Sequence, residues 1–230
     1  MNSRKKFFFV FCFIIINFIL LVSFLVIRDA TSYNSLKKEV DKILLLDIMK
    51  DKYDTKIVCS GKYGVVEKNI KKYFGHITLE LEEINSTIND ERLATVLSYE
   101  NYSNDGPLFS NSLSYLETSK NSLNKKIDSL QSFLSNDGIS SYISNKIKEQ
   151  YYKDLFIEIM NSSGVRQKRD EISQLLVNTK QSSNDVYDGS LSLLNYLKAY
   201  NDQWNLEDGE IKFQTQEMYD YYTEVISSLR

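Results

Sequence analysis

Apolar residues in this chain form one continuous block followed by several long stripes at helical spacing. The block, FFFVFCFIIINFILLVSFLVI at Phe7–Ile27, is uncharged for 21 positions. As a helix it would be about 32 Å long, enough to cross the hydrocarbon core of a bilayer. Beyond it, Leu36, Val40, Ile43, Leu44 and Ile48 mark an amphipathic helix that continues from the block. Gly61 and Gly64 interrupt the pattern. Val66, Ile70, Tyr73, Ile77, Leu81, Ile84 and Ile88 then alternate at three- and four-residue intervals, which keeps them on one helix face.

A short helix is expected at DERLATVLS, and a break at NYSNDGP, where Asp105-Gly106 suits a turn and Pro107 the first turn of a new helix. Phe109, Leu113, Leu116, Leu123, Ile127, Leu130 and Leu134 form a heptad-like, coiled-coil seam that skips Lys120, whose stem can lie along the apolar surface with its amine in solvent. SNDG at 135–138 is read as the close of that element. Ile143, Ile147, Tyr151, Leu155 and Ile159 predict the next helix, with Tyr152 and Phe156 widening its face. NSSG at 161–164 separates it from a long run from Ile172 to Tyr200, whose small polar seam residues allow close helix approach or weaken the stretch around Asp188-Gly189.

WNLEDGEIKF at Trp204–Phe213 alternates with period two instead. A type I′ turn at Asp208-Gly209 would pair Leu206 with Ile211 and Trp204 with Phe213, placing all four on one face, and would set Glu207 against Glu210. An isolated hairpin is marginal in water, so that face must pack on the helices. Thr215 is the expected N-cap of a final helix over 216–229.

Composition supports the helical reading. One Pro and eight Gly among 230 residues are too few breakers for a many-stranded sandwich. The expected fold class is therefore all-α, with an N-terminal transmembrane helix followed by an antiparallel bundle of about four to six helices and one short C-terminal β-hairpin. Residues 1–6 form a short basic tail, 7–27 the anchor and 28–230 a soluble helical-bundle domain with its hairpin at 203–213.

The anchor is expected at Phe7, Ile15, Asn17, Leu21 and Ile27 and their neighbours. A cleaved signal peptide is the rival, but a cut after Ala30 would put Arg28 three positions ahead of the scissile bond, where a small residue belongs. The segment is read as an uncleaved signal-anchor of a single-pass membrane protein. Arg4, Lys5 and Lys6 crowd the N-terminal flank against Arg28 alone at the other, so the N-terminus is expected in the cytoplasm and the domain outside it. Asn17, the strongly polar side chain of the span, can hydrogen-bond across a helix pair or within its own helix, which makes a homo-oligomer one expected arrangement.

Charge excludes one class of partner. All 31 acidic residues and 24 of the 28 Lys and Arg lie beyond Arg28, a formal charge of −7, so nucleic acid is not expected to bind. VRQKRDE at 165–171 mixes both signs and reads as a solvated helix face. Cys59 stands alone outside the block and is expected to be a packed or unused thiol. The sequons at Asn85, Asn101 and Asn161 match chance for so Asn- and Ser-rich a chain.

No catalytic signature stands out, and no enzyme, metal or cofactor is expected. His76 is the single histidine. His76, Glu80 and Glu83 share a helix face that reads as solvated rather than metal-binding. Asn101, Ser103, Asp105 and Gly106 resemble the start of a calcium loop, but its twelfth position is Ser112 where Glu is needed. Among 16 tyrosines, Tyr151, Tyr152 and Tyr221, together with Trp204 and Phe213, are the candidate interaction surface, weighed against their use as core edges. The layout resembles that of small bacterial envelope proteins with an N-terminal anchor and an extracytoplasmic helical bundle. The expected function is a non-enzymatic interaction or structural module of the cell envelope, contacting another envelope protein or its own copies. The alternative is an extracytoplasmic bundle that binds a peptide, lipid or glycan.

Overall fold

The fold is taken from a computed structural model that describes residues 3–48, 51 and 54–229, with side chains in the first helix described at 21–23 and from 26 onward. It is mostly helical, 77%, which settles the class as all-α with a two-stranded insert. The elements are α1 (Ser3–Leu45), α2 (Gly61–Ile88), α3 (Glu91–Thr95), α4 (Tyr99–Asp105), α5 (Ser110–Leu134), α6 (Asn136–Ile143), α7 (Gln150–Met160) and α8 (Ser163–Ala199), then β1 (Trp204–Glu207), β2 (Glu210–Phe213) and α9 (Gln216–Ser228). They fall into two compact units. One comprises Met1–Gly75 and Ser140–Val165, the other His76–Ile139 and Arg166–Arg230.

In the first unit α1 is one unbroken helix of 43 residues. Leu36, Val40 and Ile43 are buried, and on α2 so are Tyr63, Val66, Ile70, Tyr73 and Phe74. The Tyr63 hydroxyl donates to Asp29 Oδ1 at 2.9 Å and Lys71 Nζ to Glu39 Oε2 at 2.9 Å. Contacts that advance together along both helices mean that α1 and α2 run parallel, so the segment between them must return the full distance. An up-and-down neighbour would not need that return.

Gly61 and Gly64 do not interrupt α2; they build its first turn. Gly61 has φ +59°, and at Gly64 a Cβ would overlap the Cys59 carbonyl oxygen, so only glycine lets the returning strand of chain come this close.

In the second unit α5 and α8 run antiparallel. Lys120 Nζ donates to Asp188 Oδ1 at 2.5 Å, Asn124 Nδ2 to Asn184 Oδ1 at 3.0 Å and Lys180 Nζ to Asp128 Oδ1 at 2.5 Å. The numbers rise by four on one helix as they fall by four on the other, the rung spacing of two facing helices. Between the rungs lie the buried Leu123 and Ile127 of α5 and Tyr187 of α8. Helix α8 is continuous through Asp188-Gly189, and Ser183 and Ser190 are buried in it. A Cβ on Gly189 would stand 2.6 Å from Leu229, so the small seam residues serve close approach.

Several expected boundaries differ. NYSND is helical as α4, capped by the Ser98 hydroxyl, which accepts the Asn101 N–H, and held by buried Tyr102. Pro107 does not open α5. Asp105 caps that helix from outside, its carboxylate accepting the N–H groups of Asn111 and Ser112 at 3.2 and 2.7 Å. SNDG ends α5 only at Ser135, whose hydroxyl accepts the Gly138 N–H and starts α6 at once. Of the helix expected from Ile143 to Ile159 only 150–159 is helical, as part of α7; Ile143 is the last residue of α6 and 144–149 lie between the two. Successive steps of four each advance about 40° around a helix, so this run never shared one face.

Arg169 is buried, donating to the Leu134 carbonyl at 2.6 Å. VRQKRDE is therefore not simply a solvated face, because one of its cations satisfies a helix-end carbonyl that has no intrahelical partner.

Candidate functional site

The hairpin has the expected register, Trp204↔Phe213, Leu206↔Ile211 and Glu207↔Glu210, and its turn residues Asp208 and Gly209 have φ of 51° and 81°. Trp204, Leu206, Ile211 and Phe213 are half-buried while the residues between them are exposed. Lys212 pairs with Glu210 at 2.5 Å, which relieves the carboxylate repulsion across the turn.

Trp204 stacks on Phe109, with centroids 5.9 Å apart and rings 19° from parallel, and its indole N–H donates to the Leu197 carbonyl at 2.7 Å. Phe213 lies 5.1 Å from Tyr222, and Tyr222 lies 6.5 Å from the buried Tyr102. Tyr221 points elsewhere, 4.3 Å from Tyr196. Trp204 and Phe213 are thus joined by one aromatic chain through Phe109, Tyr102 and Tyr222, whereas Tyr221 belongs to a second cluster. Both residues help attach the hairpin, and the half-buried indole has its N–H bonded, as such a ring should.

Tyr151 and Tyr152 lie in the first unit. Tyr152 meets Tyr63 edge-on at 5.4 Å, Tyr151 meets Tyr152 at 5.0 Å, and Tyr151 is 59% exposed. Burial, with side-chain hydrogen bonding to Tyr151 and to the accepting Asp29 carboxylate, pushes the Tyr63 hydroxyl far above its ordinary range. Tyr63 joins this group through its place at the start of α2, and Tyr33 joins it from α1. Tyr33, Tyr63 and Tyr151, with Val26, Arg28, Asp29, Asp154 and Glu158, line a hollow of about 720 Å³.

Behind it lies a buried charge cluster that periodicity did not flag. Lys71 Nζ donates to Glu39 at 2.9 Å, to Glu67 at 2.8 Å and to the Lys56 carbonyl at 2.6 Å, using all three ammonium protons. Glu67 accepts the N–H groups of Val58 and Cys59 at 3.0 and 2.7 Å, and Glu39 also accepts from Lys42. Burial opposes ionisation of both carboxyls but is outweighed, at Glu67 by Lys71 and the two backbone amides and at Glu39 by Lys42 and Lys71; both are held below the ordinary carboxylate range. Lys71 is likewise raised despite burial. The signal was present: Tyr63, Glu67, Lys71 and Phe74 sit at helical spacing beside the Val66–Tyr73 stripe, so the buried face of α2 is wider than that stripe.

Cys59 is buried, its thiol pushed up to about 12 by burial and by Glu67, which makes it a packed thiol. In the second unit His76 Nε2 is 3.9 Å from Glu80, its ring meets Phe133 edge-on at 4.7 Å, and Glu83 pairs instead with Lys126 at 2.6 Å. Among the described residues no group of three or more His, Cys, Asp or Glu is placed to hold a metal ion. Asp105, the residue that suggested a calcium loop, is committed to capping α5. A separate cavity of about 470 Å³ in this unit is lined mainly by Ile88, Leu93, Leu97, Val186 and Leu229, with Asp90 and Ser183 at its polar side.

Of the expected anchor residues, Leu21 and Ile27 are exposed on α1, at 57% and 65%. The side chains of Phe7, Ile15 and Asn17 lie outside the described ones. Among the described residues no helix is long and apolar enough to cross a membrane. Comparison with protein families, curated proteins and solved structures finds no match for the chain.

Proposed function

We propose that this chain is a single-pass, membrane-anchored helical protein of the cell envelope, acting as a non-enzymatic interaction or structural module. In this reading Phe7–Ile27 is the transmembrane helix and 28–230 is an extracytoplasmic helical bundle whose antiparallel packing centres on α5 and α8. The observation that carries it is the continuity of α1 from the apolar block to Leu45. A helix without a break would hold the first unit rigidly at the membrane, as a scaffold requires. The buried charges fit the same reading, because Lys71, Glu39 and Glu67 are saturated by one another and by backbone groups.

Crosslinking of the full chain in its native membranes, followed by affinity capture, should return a second envelope protein or a covalent dimer of this chain. Capture of neither, with turnover of a substrate by the purified protein, would end the proposal. For a dimer held through the anchor, Asn17→Leu should weaken association in a membrane two-hybrid assay, and unchanged association would remove Asn17 from it.

The cavity beside Leu93, Val186 and Leu229 favours a second reading, a bundle that takes an apolar ligand. A fluorescent fatty-acid analogue should then bind the full chain, and Ala94→Phe should abolish binding. Absence of binding to the unaltered chain would dismiss this reading.

A further inference from the structure

We infer that the end of the first unit around Arg28–Tyr33 is a lipid-facing collar, with Tyr63, Tyr151 and Tyr152 seated in the headgroup layer of the bilayer and Tyr33 at its outer edge. The inference rests on the reading of Phe7–Ile27 as a transmembrane helix and specifies which part of the folded unit meets the membrane surface. It does not depend on which side of the membrane the unit occupies.

Helix α1 does not break between the apolar block and the folded unit. Height above the hydrocarbon is therefore fixed by the helical rise: Arg28, Asp29 and Tyr33 stand about 1.5, 3 and 9 Å beyond Ile27. The polar layer on each side of a bilayer is about 5–8 Å deep. Arg28 to Ala30 thus stand within the headgroup layer and Tyr33 at its outer edge, so whatever packs on the start of this stretch is carried at headgroup level.

Aromatic and apolar side chains pack there on both flanks of α1, among the polar groups Asp29, Asp154 and Glu158 on one side and Thr31, Ser32 and Ser60 on the other. On one flank, α2 and α7 both begin at this height, and their first turns supply Tyr63, Tyr151 and Tyr152; Tyr63 is tied to Asp29 by the 2.9 Å hydrogen bond. On the other, Val58, Cys59 and Ser60 of the returning segment line a hollow with Ile27 and Arg28. Val26, Ile27, Val58 and Tyr151 are 62%, 65%, 54% and 59% exposed, a cluster of apolar surface at the one height where water gives way to lipid. Tyrosine, with an apolar ring and a polar hydroxyl, concentrates at that boundary. Cations stand at the same height, Arg28 on α1 and Lys62 on α2, the latter paired with Glu149. Lys37, whose ammonium lies 4.8 Å from the Tyr33 centroid, is one turn further out.

The test uses the full chain in phosphatidylcholine–phosphatidylglycerol vesicles, with Trp204→Phe to remove the native indole. Tryptophan is then introduced as Tyr151→Trp on α7 or, at the end of α1 about 27 Å beyond Ile27, as Leu45→Trp. Lipids bearing a headgroup nitroxide should remove most of the Tyr151→Trp emission and little of the Leu45→Trp emission. Lipids brominated deep in the acyl chain should quench Tyr151→Trp less than the headgroup label does.

Equal quenching at the two positions, in protein that resists alkaline carbonate extraction, would overturn the collar and leave the anchor standing. Release of the protein by carbonate would overturn the anchor, and the collar with it. Protection of Tyr151→Trp from lipid quencher together with crosslinking of that site to a membrane protein would assign the surface to a protein partner and also overturn the collar.

Discussion

Lys71 is the residue on which the first unit most depends, because one ammonium holds two buried carboxylates and the carbonyl of Lys56. Lys71→Met keeps most of the volume but leaves Glu39 and Glu67 facing each other in a dry site, and should cost about 3–5 kcal/mol in a denaturant titration of the detergent-solubilised chain. The same cluster sets a pH dependence. Glu39 and Glu67 titrate below 4.5 in the folded state, so their stabilisation is present above that pH and is lost as pH falls through their lowered values. Lys71 is raised above 10.5, so its share is present below that pH and is lost as pH rises through its folded value. Thermal melts on the acid side should therefore fall with pH, and Glu67→Gln should flatten that fall. Gly64 gives a test in which helix propensity and packing disagree in sign. Alanine in a helix interior is favoured over glycine by about 1 kcal/mol. Here its Cβ would overlap the Cys59 carbonyl, so Gly64→Ala should lower the melting temperature rather than raise it.

At the scale of elements, the hairpin and the α5–α8 pair carry their own tests. Gly209 has φ +81°, where a β-branched side chain is strained, so Gly209→Val should destabilise the second unit by about 1–2 kcal/mol, read as a lower unfolding midpoint. Lys120 and Asp188 are partly exposed, so Lys120→Glu or Asp188→Lys alone should cost no more than about 1 kcal/mol, and the doubly reversed pair should recover most of it. Recovery in this double-mutant cycle would verify the antiparallel rungs, because only facing residues restore one another. Elements with an alternating three- and four-residue stripe or a strict period of two were legible in advance: α2, α5, α8, the hairpin and α9 with its Thr215 cap, which accepts the Met218 N–H. The non-helical stretch at 144–149 between α6 and α7 was not, because apolar residues every fourth position fit a helix locally and drift off its face over several turns. Helix α4 was missed because a polar NYSND was read as a break, when its single buried ring, Tyr102, is anchored by Phe109 and Tyr222 from other elements.

At the scale of the whole molecule, the apolar block makes the strongest prediction. The full chain should remain with the membrane through alkaline carbonate washing, and deletion of residues 7–27 should release it, as fractionation would measure. Release of the intact chain would place the block in a different role. Protease added to intact cells should degrade residues 28–230 if the basic residues Arg4, Lys5 and Lys6 hold the N-terminus in the cytoplasm.

The sequence by itself determined the helical class, most long helices and the hairpin down to its register, because periodicity and turn chemistry act between residues close in the chain. It also marked Trp204, Phe213, Tyr151, Tyr152 and Tyr221 as either an interaction surface or core edges. Only the tertiary structure decided which partners they found. Trp204 stacks on a ring 95 positions earlier, and Tyr152 meets Tyr63 across a separation of 89. The parallel course of α1 and α2, and the burial of Glu39, Glu67 and Lys71, were likewise decided there. A charged residue enters a protein interior only when its counter-charge is brought to it through space, and no spacing along the chain records which distant residue that will be.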